Sequence, residues 1–409
     1  MSVFKRNPGF ARLFFASSIT NLGDGVSVLA FPWLASLITR DPFLISLVGF
    51  ATRLPWLLFT LPAGVITDRA NRLRLIVNAD LLRFVLTALV VGVILVIPEF
   101  PPAQPGLWIT ALAALAFCLG SAEVLRDNAA QTLLPSIVRK EDLEVANGRL
   151  WTIEHIMGHF VGPPLAGVLI ALALPLPFAL DAVSFLVAAL LILRIPVTPR
   201  AARPLRKPRE EVAEAWSWLK AHPVILRLAV MLGFMNLISM MSLTLIVLIS
   251  QDILGLDAAQ HGLLLAVAAF GGVAGGLWGP KVIGWMGNQI SLFVAIVLIA
   301  LGLALIALTN QIWVVAIALF VESFAALLWN IVTVSYRQRV IPDDLLGRVN
   351  SVYRFFGWGG APIGALLAGV MVSVSEPALG REMALRLPYM LGAGGMGVIL
   401  IYALRRLRL

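Results

Sequence analysis

An all-α membrane protein with twelve transmembrane helices in two six-helix halves is the fold this sequence predicts, and three observations carry the prediction. Of its 409 residues 60% are hydrophobic and only 13% charged, with a mean hydropathy of +0.93, whereas soluble domains carry charge on about a quarter of their residues. Charged or Pro/Gly punctuation divides the chain into apolar runs, most of them about 17–25 residues long, the length that crosses a bilayer. The second half also echoes the first. Gln131-Thr-Leu-Leu-Pro135 returns as Gln338-Arg-Val-Ile-Pro342, a shift of 207 residues. Ala146-Asn147 precedes Gly162 to Gly167 much as Val349-Asn350 precedes Gly359 to Gly369, a pattern expected of transporters built from parallel repeats.

Taken in order, the first six spans are expected near residues 10–38, 43–66, 75–97, 107–130, 147–172 and 177–194. The first run is too long for a signal-peptide core and lacks a small-residue cleavage site, so it is expected to remain as a membrane helix. A polar segment from Pro196 to His222 follows, with Arg200, Arg203, Arg206, Lys207 and Arg209 ahead of a short surface helix expected over Glu210 to Lys220. It reads as the linker between halves. Six further spans fit near 224–250, 260–284, 289–308, 312–335, 346–372 and 387–405. The domain reading is therefore 1–195, a basic linker over 196–222, and 223–409.

An even number of spans leaves both termini on one side. Placing them in the cytoplasm puts 25 of the 31 Lys and Arg residues in inside loops or helix ends, as the positive-inside rule requires. Arg40, Arg381 and Arg386 then fall outside, and Arg53, Arg83 and Arg126 lie within spans. The net charge of +9 follows from this asymmetry. The basic linker faces anionic lipid rather than nucleic acid. A single cysteine, Cys118, forms no intramolecular disulfide or thiolate metal cluster and reads as a small core residue.

Two stretches stand out by spacing. Gly64-Val65-Ile66-Thr67-Asp68-Arg69-Ala70-Asn71-Arg72-Leu73-Arg74 is a charged turn between two apolar runs. Gly64 permits close helix approach, Asp68 can accept from the free N–H groups that start the next helix, and Arg69, Arg72 and Arg74 hold the turn in the cytoplasm. In the fifth span, Gly158-His159-Phe160-Val161-Gly162-Pro163-Pro164-Leu165-Ala166-Gly167 combines small residues four apart with a proline pair, which suits close packing and a bend. Gly271, Gly272, Gly275, Gly276 and Gly279 form a similar stripe on the eighth span, compatible with a sliding or a static interface.

Ionisable groups at bilayer depth are the sharper signal. Each costs about 2.5–3.5 kcal/mol at a helix centre and usually turns toward a partner or a water-filled cavity. Asp24, Arg53 and Glu322 lie near the centres of the first, second and tenth spans, and Glu123 and Arg126 sit at i and i+3 on the fourth with Asp127 beside them. Two readings stand for Asp24: a pair with Arg53 that only fixes helix register, or a carboxylate that, like Glu322, takes up and releases a coupling proton. Asp127 reads as part of a structural salt-bridge cluster, and Asp80 and Arg83 as members of the inside gate or its lipid-facing edge. His155 and His159, one turn apart beside Glu154, lack a third metal ligand at usable spacing, leaving polar packing or a proton relay. No phosphate-cradling Gly-x-x-x-x-Gly-Lys-Ser/Thr loop occurs, nor a hydrolase or metalloprotease motif, so no enzyme and no cofactor is expected.

The pattern Gly64-x-x-x-Asp68-Arg69-x-x-Arg72-x-Arg74 resembles the loop signature of the major facilitator superfamily, which implies a latch at the cytoplasmic gate. The segment from Gly158 through Gly162, Pro163 and Gly167 resembles the exporter signature of that superfamily, departing from it at Ala166. In this superfamily the first, fourth, seventh and tenth helices line a central cavity, which implies cavity positions for Asp24, Glu123, Arg126, Asn236, Glu322 and Asn330. Asn21-Leu22-Gly23-Asp24, Leu54-Pro55, Asp181-Ala182-Val183-Ser184-Phe185, Gln338-Arg339-Val340-Ile341-Pro342 and Gly347-Arg348-Val349 resemble one branch, the transmembrane secretion effectors, which includes enterobactin exporters and macrolide efflux proteins. The counterpart hairpin, Gly279-Pro280-Lys281-Val282-Ile283-Gly284, keeps little of the loop signature. The resemblance implies a monomeric multi-pass transporter of the bacterial inner membrane. It would export a bulky drug or siderophore against protons by alternating access, with membrane lipids as its other partners. The alternatives are an uptake carrier or lysolipid flippase of the same fold, and a channel or scaffold without transport.

Overall fold

The computed structural model describes residues 3–196 and 208–407; at positions 61, 65, 68, 69, 140, 144, 208–212, 343, 344, 346 and 347 only the backbone is described. Among the described residues twelve helices are long and apolar enough to span a membrane. In chain order they are Pro8–Ile38, Pro42–Arg69, Arg72–Val96, Pro105–Ile137, a composite fifth span, Leu176–Leu193, a seventh from Pro223 to Ile253, Ala258–Met286, Asn288–Leu308, Ile312–Val340, Asp343–Leu379 and Arg381–Arg406. Proline opens the first, second, fourth and seventh of these, where its missing N–H costs nothing. Gly287 and Gly380, at φ +80° and +76°, make the sharp breaks before the ninth and twelfth spans, a backbone region glycine enters without steric cost.

The expected spans are all present, several of them longer than hydropathy suggested. The twelfth starts at Arg381 rather than near 387 because its charges are bound, not loop residues. Arg381 meets Asp252 and Glu376 at 3.0 Å each. The buried Arg386 donates to the Ala307 carbonyl at 2.6 Å and the Thr309 carbonyl at 3.1 Å, closing the C-terminal end of the ninth span, where backbone acceptors have no helical donor. The fifth span is Leu143–Glu154, a wide π-helical turn His155–Val161, and Gly162–Leu172. Gly162 donates its N–H to Met157 O, five residues back. Pro163 and Pro164, without N–H groups, follow at once, a setting in which helices bend.

The chain forms two compact units. Unit 1 comprises Met1–Arg40, Ala51–Pro204 and Asp257–Ala266; unit 2 comprises Asp41–Phe50, Leu205–Leu256 and Val267–Leu409. In unit 1, Phe10, Leu13, Ile76, Leu133, Ala188 and Ile192 are among the residues of one apolar core. The chain start is tied to it by Asp142, which takes Arg6 at 2.5 Å and Asn7 at 2.9 Å. Gly25, Gly158 and Gly162 bring the first and fifth spans into backbone contact: a Cβ on Gly162 would lie 2.5 Å from Gly25 Cα. Gly167 and Pro163 face Ala258–Gly262 at the start of the eighth span.

Unit 2 repeats the device. Gly360 and Gly364 of the eleventh span abut Gly233 and Leu237 of the seventh, and the eighth-span stripe lies on the tenth, where a Cβ on Gly275 would reach to 2.9 Å from Phe324 O. The expected surface helix exists as Pro208–Ala221. Ala215 and Leu219 are buried, Trp216 stacks on Phe356 at 5.8 Å, and Glu214 pairs with Arg348 at 2.5 Å. Arg200, Arg203, Arg206 and Lys207 lie outside the described residues, as do the side chains of Arg209 and Glu210. Cys118, expected in the core, is exposed on its helix.

Candidate functional site

The ionic centre of the molecule lies inside unit 1, where four spans each turn polar residues inward. The third span supplies Asp80, Arg83 and Thr87, all buried. Their i, i+3 and i+7 spacing sets them on one helix face. The fourth supplies Glu123, Arg126 and Asp127; the first Ser17, Thr20, Asp24 and Ser27; the sixth Asp181, Ser184 and Phe185.

Two guanidinium groups organise this nest. Arg83 Nη2 donates to Asp24 Oδ1, and its Cζ stands 3.9 Å over the Phe185 ring. Arg126 places Nε 3.4 Å from Asp80 Oδ1, donates to Thr20 Oγ1 at 3.0 Å and meets Asp127 Oδ1 at 3.3 Å. Asp181 Oδ2 accepts from Ser27 Oγ at 2.6 Å. Glu123 is half-buried in the same field as Asp24 and Arg83. Five carboxyl groups thus meet two guanidinium groups. Asp24 and Asp127 are partly exposed, at 31% and 37% of their side chains, whereas Asp80 and Asp181 are buried.

The expected Asp24–Arg53 pair is not formed. Arg83, one span further on, takes Asp24, and the half-buried Arg53 makes no ion pair among the described residues. Asp80 and Arg83 do not face lipid: both are at most 3% exposed. Their charges lie too close to the third span's start for a span-by-span reading to place them in the interior. Asp127 does join a salt-bridge cluster with Arg126. Asp181 and Ser27 were missed as site residues, although the Asp181 to Phe185 stretch held the signal.

The remaining expected positions fall elsewhere. In unit 2, Glu322 lies against Gly302 of the ninth span, where a Cβ would come 2.8 Å from Glu322 Oε1, and that oxygen is buried without a hydrogen-bond partner. Asn236 donates to Gly357 O at 2.8 Å, binding the seventh span to the eleventh. Asn330 is exposed. In the hairpin, the next helix is capped by Asn71, which accepts from Arg74 N at 3.2 Å. Asp68 and Arg69 end the second helix, with side chains outside the described residues. Gly64 has no described neighbour within 4 Å of an added Cβ. Arg72 donates to Thr132 O at 3.0 Å, tying the hairpin to the fourth span. His155 and His159 pack edge to face at 5.6 Å.

The family model for transmembrane secretion effectors matches residues 4–400. The multidrug efflux pump Tap of Mycolicibacterium fortuitum is 25% identical, the match covering 100% of this chain and 98% of that protein. The enterobactin exporter EntS of Citrobacter koseri is 24% identical over 94% of this chain and 90% of its own. In fold, a crystal structure of the nucleoside transporter NupG superposes with a TM-score of 0.76 at 13% identity, covering 97% of this chain and 98% of that one.

Proposed function

The chain belongs to the transmembrane secretion effector family, and on that premise we propose that it is a proton-coupled exporter of a bulky organic molecule, a hydrophobic drug or a siderophore. It is a multi-pass transporter of the bacterial inner membrane, not an enzyme. The observation that carries the finer reading is the Asp24–Arg83 pair at the centre of a nest with more carboxyl groups than cations. Protonating Asp24 releases Arg83, and losing the proton restores the pair, so one proton changes how the first and third spans hold each other. Residues 1–195 and 223–409 are the halves that alternate access, joined by 196–222, with both termini cytoplasmic. Asp24 rather than Glu322 is taken as the carrier because its protonation would break a pair between two spans, whereas Glu322 Oε1 has no hydrogen-bond partner among the described residues for a proton to release.

The related proteins' names set the panel for the test: macrolides and other hydrophobic drugs, organic cations and catechol siderophores. In sealed proteoliposomes with an imposed pH gradient, one of these classes is expected to drive proton movement, and Asp24→Asn to abolish it while leaving substrate binding measurable. Undiminished proton-driven transport by Asp24→Asn would overturn the reading.

A further inference from the structure

Two stretches distinguished by sequence, Asn21-Leu22-Gly23-Asp24 and Asp181-Ala182-Val183-Ser184-Phe185, meet in the structure, and the transport reading so far uses only one residue of them. A Cβ on Gly23 would strike the Asp181 carboxyl group and the Ser184 hydroxyl, so glycine is what lets the sixth span's carboxyl group lie against the first helix. Ser27, one turn further along, donates to Asp181 Oδ2 at 2.6 Å. The other oxygen, Oδ1, is buried and accepts no hydrogen bond. On the opposite side, Arg83 is held by Asp24 and lies flat on Phe185, four residues from Asp181 on the same helix. Its Nε is also buried without an acceptor.

We infer that Asp181 is the second seat of Arg83. When Asp24 is neutralised, the guanidinium slides across the Phe185 face and pairs with Asp181, so that the charge passes from the first span to the sixth instead of being stranded. A buried charge left without a partner is costly, and the same four-span nest holds one acceptor atom and one donor atom without a hydrogen-bond partner, Asp181 Oδ1 and Arg83 Nε. Glu123 and Asp80 also act on Arg83. Asp80 is ion-paired with Arg126 at 3.4 Å, although its oxygens accept no hydrogen bond, and neither residue is on the helix that carries the stacking ring. Asp24 is further influenced by Arg126 and Asp127 of the fourth span and by Glu154 of the fifth. Asp181 is thus a positioning residue acting through Arg83. The inference rests on the export reading only for what neutralises Asp24.

The test is a double-mutant cycle on the purified full chain in detergent, read as thermal unfolding midpoints. If Arg83 has two seats, Asp24→Asn and Asp181→Asn each lower the midpoint modestly, and together they lower it by at least about 3 °C more than their sum. Adding Arg83→Gln to the double variant should restore most of the loss, and this arm remains readable as recovered folded protein if the double variant fails to fold. Asp24→Asn with Glu123→Gln should be additive. Additivity of Asp24 with Asp181, or an excess loss that Arg83→Gln leaves unrepaired, overturns the inference. Proton flux in proteoliposomes separates the two proposals. Loss of flux in Asp24→Asn with an additive cycle removes the second seat and leaves the exporter; the reverse pattern removes proton coupling and leaves the seat.

Discussion

Unit 1 and unit 2 share a way of packing and differ in what they enclose. Both seat a pair of glycines against a neighbouring helix, Gly158 and Gly162 on Gly25 in one, Gly360 and Gly364 on Gly233 and Leu237 in the other. Yet 207 residues beyond Glu123 and Arg126 stand Asn330 and Thr333, and Thr333 spends its hydroxyl on Trp329 O in its own helix at 3.0 Å. Both units keep close contacts between backbones, but the clustered carboxyl and guanidinium groups of unit 1 have no counterpart at these two positions of unit 2. Small residues at helix crossings are a condition for folding in lipid. Buried charges are costly in a helix bundle, and the asymmetry is why the proposed proton site is sought in unit 1.

The largest effect that would test this contrast comes from Asp80→Asn, which takes from Arg126 its fully buried carboxylate and leaves it the more exposed Asp127. Removing one partner of a buried ion pair costs about 3–5 kcal/mol, and the folded yield and unfolding midpoint of the purified protein should fall accordingly. Thr333→Val, at the position of unit 2 that matches Arg126, should cost less than about 1.5 kcal/mol; equal losses would show that the ionic interior carries no special weight. An intermediate effect probes what the units share. Gly162→Leu and Gly360→Leu each force a side chain into a backbone contact, with overpacking of about 1–3 kcal/mol, and their unfolding midpoints should drop alike. A marked difference would mean the glycine seats are not equivalent. The smallest effect is expected from Glu322→Gln, which keeps shape and removes a charge that has no cation beside it. Stability should not fall, because no ion pair is broken, and proton-driven flux should survive, in contrast to Asp24→Asn.

The contrast also explains what was legible beforehand. Helix number and order follow from run length alone, because a bilayer sets one length for every span. The glycine seats are visible as spacing, since small residues four apart can only lie on one face. Partner choice was not visible. Asp24 and Arg53 are both central in adjacent spans, and only the rotation of each helix about its axis decides that Arg83 reaches Asp24 instead. Arg381 and Arg386 were mistaken for loop charges for a related reason: a charge inside a helix and a charge in a loop have the same hydropathy, and only their acceptors, Asp252, Glu376 and the end of the ninth span, tell them apart. Asp181 was in view as part of a recognisable stretch, but nothing in a linear chain says that its neighbour is Gly23.

The wide turn His155–Val161 has a mechanical consequence. It makes the fifth span two stiff rods and a joint, with the elbow pinned to Gly25 by Gly158 and Gly162 and the far rod resting through Gly167 on Ala258. Gly162 and Gly167 lie on the same rod, so a load applied at Ala258 reaches Gly25 of the first span through one straight helix. The wide turn lies on the other side of that contact and separates it from Leu143–Glu154.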